Sequence, residues 1–481
     1  MNLPEGIRES GARPAQPGAS PAACPMAPGP GRKDQVPPLW ETWLIRVILG
    51  LFVTVAFRAI HHNAMHGQDI STHMIHTRRM LDVPGLWFTN DITFRPLLYW
   101  IGGWCVQFTN GTYGYQLASM IFTLAGATAL ALVHDATRRV IGTPVLRVAG
   151  IALIAFLPMT VITTVVYAAD TAVSLPFILA GWALMVCLEQ AVERRAAGFA
   201  ALAGLAFAIG NLTKATFLGL PAAVAIVMLL LWRSRRLSWR RAGVITVLTL
   251  AAPGLVGLWI NQKAKRETAG GGTVHTFNWK GTGEMTFRSL LLVKDSDRRI
   301  LDAPEYLTTA KRETGDYYPL LLENNYSYPA LLHLGVFSDV LNFANNSVTP
   351  RPEPARSAAK LSVRLGLAFT LPALIAVLVL ILRTSVALAV PRLMPSTPAL
   401  IWSVLALAWY LPIFLTLPFV AHVYVMGYWL PRLVMPSIWI FLLMPFAWAD
   451  LIPGRWPAWL GCVLLGMVTV LGWQEILSLR Y

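Results

Sequence analysis

Runs of apolar residues, each roughly long enough to cross a bilayer as a helix, recur along the chain from about residue 43 and are parted by short polar turns. They predict spans at about Trp43–Ile60, Tyr115–Val133, Val148–Tyr167, Thr171–Leu188, Gly198–Asn211, Ala215–Trp232, Ala242–Ile260, Val363–Leu382, Leu400–Val420, Trp429–Trp448 and Trp456–Gln474. The pattern defines an all-α polytopic membrane protein of about 11 transmembrane helices.

Two stretches break the rhythm. The first runs from His66 to Trp100, between the first two spans, and gathers acids, histidines and arginines. A helix starting near Asp69 brings Asp69, His73 and His76 within about 60° of one another, with Ile70, Met74 and Leu81 as an apolar stripe about a quarter-turn away. The segment FRPLLYWIGGWCVQF follows, where Pro96 suits a first helical turn and Phe94, Tyr99, Trp100, Trp104 and Phe108 suit an interfacial belt. It is shorter than the roughly 20 residues a crossing requires. Both stretches are therefore expected as amphipathic juxtamembrane helices. The second interruption is one large loop, about 262–361, rich in Gly, Tyr, Asn and charge.

Composition supports this picture. With 56% hydrophobic and 13% charged residues, the chain is too apolar for a soluble enzyme. The net charge of +15 sits in short arginine runs between apolar segments, so it speaks of topology and not of nucleic acid. Arg138, Arg139, Arg147, Arg194, Arg195, Arg233, Arg235, Arg236, Arg240, Arg241, Arg383 and Arg392 all fall on one side when the Pro96 segment stays on the surface. The positive-inside rule makes that side cytoplasmic. The expected organisation is a disordered cytoplasmic tail over 1–38, a transmembrane module over 39–261 with its first outer loop at 61–114, the large outer loop over 262–361, and a second transmembrane module over 362–481. The tail has mixed charges and no apolar h-region, unlike a signal peptide. Cys24, Cys105, Cys187 and Cys462 show no metal-ligand or disulfide spacing.

The polar residues that stand out collect at the outer face. Asp69 is either a general base with a pKa raised by partial desolvation or the N-cap of its helix. Asp170 stands before the span expected from Thr171, where an N-cap is the alternative to a site role. Lys214 and Arg432 lie at outer span ends and are either snorkelling cations or phosphate contacts. The Asp69, His73, His76 spacing permits a divalent metal ion, with satisfied interfacial histidines as the alternative. His333 and Asp339 belong to a further apolar stretch in the large loop, and sequons occur at Asn110, Asn325 and Asn345.

Taken in order, these features resemble a known family. An Asp shortly after the first span, an amphipathic helix with PLLYW, an Asp opening the fourth span, LTK before a Pro-containing span, and a late YWLPRLVMP are similar to the GT-C membrane glycosyltransferases. The pattern is that of the protein O-mannosyltransferase and lipid A aminoarabinose transferase group. The chain departs from it where Ile70 follows Asp69 in place of a second acid, and where Arg95 precedes Pro96 in place of a proline. The resemblance implies inverting transfer of a sugar from a polyprenyl-phosphate donor to a lipid, glycan or protein acceptor on the extracytoplasmic face. It implies Asp69 as base, Asp170 as second acid and Lys214 as phosphate contact, with Arg432, Asp91, Arg95 and His73 as further substrate-binding candidates. No cofactor is required beyond the metal ion that the spacing permits. The expected location is the plasma membrane, or the inner membrane if bacterial. The alternative is a multispan transporter or lipid flippase, whose mark is charges or broken helices at mid-membrane depth.

Overall fold

The computed structural model describes residues 36–63, 68–82, 96–109, 111–165, 167, 172–214, 220–269, 328–337, 353–390, 395–420 and 435–478. Residues 1–35 of the tail expected over 1–38, the sequon asparagines and Asp339 lie outside them, as does most of the large loop. Among the described residues the chain is helical, with no strand. The helices are α1 (Leu39–Asn63), α2 (Gln68–Asp82), α3 (Pro96–Thr109), α4 (Thr112–Thr137), α5 (Pro144–Ala155), α6 (Pro158–Val165), α7 (Ser174–Glu189), α8 (Glu193–Thr213), α9 (Leu220–Arg233), α10 (Trp239–Ala269), α11 (Tyr328–Phe337), α12 (Glu353–Ala389), α13 (Thr397–Val420), α14 (Met435–Ala449) and α15 (Trp456–Ser478).

Five of these, α1, α4, α8, α10 and α12, contain segments long and apolar enough to cross a membrane. The other six expected spans fall on apolar helices of 10–17 residues. Gly198–Asn211, the shortest expected span, proves to be part of a 21-residue helix. Val148–Tyr167, expected as one span, is two helices broken at Phe156 and Leu157. Pro158 supplies no N–H to the carbonyl of Ile154 and disfavours helical backbone at Leu157, so α5 stops and α6 starts afresh. The α3–α4 turn rests on Gly111, whose φ of 88° is open to glycine at low cost. Gly114 then lets α4 meet the backbone of Val106, where a Cβ would lie 2.4 Å from its Cα.

Polar contacts sort the helix ends into two groups. At one end, Asp450 after α14 accepts from the backbone N–H groups of Gly142 (2.7 Å) and Thr143 (2.9 Å) before α5. Arg139 after α4 donates to Glu189 at the end of α7 (3.2 Å), and Arg241 of α10 to the Cys187 and Gln190 carbonyls. Arg236 donates to the Pro395 carbonyl ahead of α13. The arginine-bearing turns thus lie together, as their pattern in the sequence requires. Here too Glu41 in the first turn of α1 is fully buried and pairs with Arg147, Nε to Oε1 at 2.7 Å and Nη2 to Oε2 at 2.5 Å. His134 Nε2 stands 2.9 Å from the same carboxylate, and Arg147 Nη1 donates to the carbonyls of Ile141 and Gly142.

At the opposite end, α2 packs on α3, and α3 on α4 and α8. The described part of the large loop, α11, packs there on α6 and α12. Its Phe337 ring covers Gly366, where a Cβ would meet Cγ at 2.4 Å. One turn earlier, His333 Nε2–H donates to the Val363 carbonyl (2.9 Å), which leaves Nδ1 to accept from the Thr370 hydroxyl (2.8 Å). His333 is thereby accounted for as a docking residue, and burial holds its pKa below the usual imidazole value.

Candidate functional site

The end of the bundle away from the arginine turns is built around α2, which begins at Gln68, one residue before the expected start. Its fully buried described residues are His73 (6% exposed), Thr77 and Met80, and Met74 and Leu81 of the expected apolar stripe are half-buried beside them; the Ile70 side chain lies outside the described residues. An inward polar stripe is stable because partners wait for it. His73 Nδ1 lies 3.1 Å from the Tyr99 hydroxyl, and the Thr77 hydroxyl donates to the His73 carbonyl at 2.8 Å while lying 3.0 Å from the Tyr167 hydroxyl. Tyr167 in turn donates to the Leu98 carbonyl at 2.9 Å, and Tyr115 donates to the Met74 carbonyl at 3.1 Å. Buried polar groups are tolerated where such bonds are made.

Tyr167 is the hub. It is fully buried, stacked on Phe122 at 6.3 Å between centroids and tilted against Tyr115 at 5.2 Å. Its ring meets His73 edge-on, and His76 meets Tyr99 in the same manner at 6.0 Å. Both histidines are therefore engaged with α3, and among the described residues no three His, Cys, Asp or Glu side chains gather as metal ligands. Asp69 is the second residue of α2 and precedes His73 by one turn; its side chain lies outside the described residues.

Lys214 closes α8 with extended backbone, φ −156° and ψ 126°, its N–H bonded to the Gly210 carbonyl at 2.9 Å. It is only 3% exposed, so the lysine is held inside the protein and does not snorkel outward. Asn211, one turn earlier and 2% exposed, donates from Nδ2 to the Pro253 carbonyl at 3.4 Å and keeps a buried Oδ1 without a partner among the described residues. The site end thus unites α2, α3 and the Lys214 turn, drawn from distant parts of the chain. Asp170, Asp91, Arg95 and Arg432 lie outside the described residues. The described helix after Asp170, α7, begins at Ser174 with Val173 at its N-cap. Sequence reasoning missed Thr77, Tyr99 as a polar partner, Tyr167 and Asn211; Tyr167 had a signal in being the polar end of an otherwise apolar run.

This arrangement, an all-helical membrane-integral bundle with short helices packed across one end, defines the class. The chain has the GT-C fold of membrane glycosyltransferases. No protein-family model matches it, and no curated protein matches it by sequence. Among solved structures it is similar to the apo oligosaccharyltransferase of Archaeoglobus fulgidus, with a TM-score of 0.51 and 12% identity over 92% of this chain. The chain spans 57% of the length of that protein. Weaker likenesses are to the same organism's oligosaccharyltransferase AglB in complex with an inhibitory peptide and a dolichol-phosphate, and to apo ArnT from Cupriavidus metallidurans. Their TM-scores are 0.48 and 0.38, at 11% and 15% identity, covering 92% and 91% of this chain and 56% and 78% of theirs.

Proposed function

We propose that the protein is an integral membrane glycosyltransferase that moves a sugar from a polyprenyl-phosphate donor to an acceptor on the extracytoplasmic face. The observation that supports this reading is the packing, at the end opposite the arginine turns, of α2, which carries Asp69 in its first turn, on α3, and of α3 on α8, which ends at the buried Lys214. A hydroxyl nucleophile needs a base, and a lipid-phosphate leaving group needs fixed cations at headgroup depth. Asp69 takes the proton of the acceptor hydroxyl as its oxygen attacks the anomeric carbon. The bond from that carbon to the phosphate oxygen breaks on the opposite face, giving inversion, and the phosphate leaves with the electron pair. Lys214 meets the charge that develops there, with Arg432 and Arg95 as further contacts. Asp170 and Asp91 line the sugar pocket, and His73, held against Tyr99, fixes the α2 wall.

The transporter reading has one of its two marks in the helix break at Phe156 and Leu157, but the residues there, Phe156, Leu157 and Pro158, bring no charge to it. The test incubates purified protein with labelled polyprenyl-phosphate sugars and membrane acceptors. Wild-type transfer is expected to fall by about 10²–10⁴-fold in Asp69→Asn, with the melting temperature unchanged. Transfer that survives in Asp69→Asn removes the base, and absence of turnover with every donor removes the reading. Reporter fusions after Arg241 and Arg299 are expected to report cytoplasm and exterior respectively.

A further inference from the structure

The arginines around the ends of α8, α9 and α10 divide into two sets. Arg236 and Arg241 donate to the carbonyls of Pro395, Cys187 and Gln190 and so tie helix ends together. Arg194, Arg195, Arg233, Arg235 and Arg240 are exposed instead, and their side chains make no ion pair or hydrogen bond among the described residues. Arg240 has one ring contact, its guanidinium carbon lying 5.7 Å from the centroid of the exposed Trp239. The acids nearest in sequence do not answer this charge. Glu189 is held by Arg139, and Glu193 adjoins Arg194 along α8 without facing it.

Three of the five stand in line with the outward apolar face of their own helix. On α10, Val244, Val247 and Ala251 are exposed four, seven and eleven residues beyond Arg240. At about 100° per residue that spacing keeps all four within about 60° of one another. The same spacing recurs on α8, from Arg194 to the exposed Gly198, Ala201 and Leu205, and in reverse on α9, from Arg233 back to the exposed Leu229, Ile226 and Ala222. Because α10 packs on both α8 and α9, the three stripes adjoin. Arg195 and Arg235 lie off them. The stripes are the surface that a bilayer covers, so an arginine at the end of each is carried to the headgroup layer. Trp232 and Trp239, both exposed, mark the same depth as an aromatic belt.

We infer that the flank formed by α8, α10 and α9 binds anionic phospholipid of the adjoining leaflet, with headgroup phosphates at Arg194, Arg240 and Arg233 and acyl chains on the stripes beneath them. The guanidiniums supply the charge that the protein itself leaves unanswered, and the stripes supply the contact for the chains. A zwitterionic lipid carries its own cation beside the phosphate and gains less from the arginines. An acidic protein is the poorer fit, because these cations continue a face that lipid covers.

Native mass spectrometry of the full-length protein, released from nanodiscs of equimolar phosphatidylglycerol and phosphatidylcholine, tests this. An arginine at an anionic membrane surface is worth about fivefold in affinity, so phosphatidylglycerol is expected to be retained about fivefold or more better than phosphatidylcholine. Arg194→Gln/Arg233→Gln/Arg240→Gln is expected to lose that preference at an unchanged melting temperature, and each single glutamine variant to lose a share of it. Arg194→Lys/Arg233→Lys/Arg240→Lys keeps the charge and is expected to keep the preference, which separates lost charge from lost fold. Arg195→Gln/Arg235→Gln removes charge from the same turns but off the stripes and should leave most of the preference in place. Glycerol phosphate and a poly-glutamate peptide, offered to the delipidated protein at physiological ionic strength, are expected not to bind. Equal retention of the two phospholipids by wild type, a preference that survives the triple glutamine variant, an equal loss in Arg195→Gln/Arg235→Gln, or binding of the glycerol phosphate or the peptide overturns the assignment.

Discussion

Gly102 of α3 passes so close to Tyr167 that a single methyl group tests the hub of the site end. A Cβ there would lie 1.9 Å from the Tyr167 hydroxyl oxygen, 2.6 Å from Cζ and 3.0 Å from Cε2. The ring cannot simply step aside, because Phe122 and Tyr115 pack on it and the hydroxyl is bound by Thr77 and the Leu98 carbonyl. Gly102→Ala is therefore expected to cost about 1–3 kcal/mol in overpacking, with about 1–3 kcal/mol more from the displaced hydroxyl and its stranded partners. Tyr167→Phe loses only the second part. In Gly102→Ala/Tyr167→Phe the shortest contact is gone and the hydroxyl is lost only once, so the double variant should be more stable than the sum of the singles by about 1–2 kcal/mol. Thermal unfolding in detergent, followed by tryptophan fluorescence, reads the three losses against wild type. A Gly102→Ala protein that melts with wild type, or losses that simply add, refutes the claim that this contact holds α2 and α3 in place.

Three further outcomes follow from other parts of the structure. Glu41→Gln leaves the buried Arg147 without its counter-charge and should destabilise by about 3–5 kcal/mol, while Glu41→Leu/Arg147→Leu should cost less, both read as melting temperatures. His333 is neutral when docked and its pKa is depressed, so the unfolded form binds the proton first. Docking of α11 is thus expected to be fully present above the ordinary value of 6.5 and to weaken as pH falls below it. Hydrogen exchange of Tyr328–Phe337 across that range checks this, and a slope that persists in His333→Gln counts against it. Gly204→Val should separate α8 from α10, since a Cβ at Gly204 would meet the Leu248 carbonyl oxygen at 2.7 Å and backbone cannot yield; the expected result is loss of monodisperse protein on size exclusion.

The helices were legible because hydrophobic runs and proline punctuation are local properties. Five of the expected spans fall on helices long and apolar enough to cross a membrane and the others on shorter apolar helices, and the arginine runs mark the end at which the described turns gather. Length was less legible: Pro158 divides one run into two helices. The buried polar residues of α2 were less legible, because a helical wheel ranks histidine and threonine below Met74 and Leu81 as core residues. Tertiary partners reversed that, since Tyr99 and Tyr167 offer hydroxyls that no local window contains. The same cause hid the Glu41–Arg147 pair, although a glutamate at the head of an apolar run was a visible anomaly. For the site itself, Lys214 was found by position between spans, and its burial is a fact that only packing supplies.

The Glu41 cluster also bears on the order in which the chain is made. Glu41 leaves the ribosome long before Arg147, and a carboxylate stranded at the centre of a bilayer carries a large insertion penalty, about 2.5–3.5 kcal/mol on translocon scales. Its place in the first turn of α1 keeps it at the water-facing margin while α1 inserts. His134, near the end of α4, is synthesised before Arg147 and supplies a ring nitrogen to the carboxylate, and Arg147 then completes the bidentate pair as α5 arrives. The buried ion pair of the finished bundle thus joins α1 to the segments made soon after it, ahead of the helices that the ribosome supplies later.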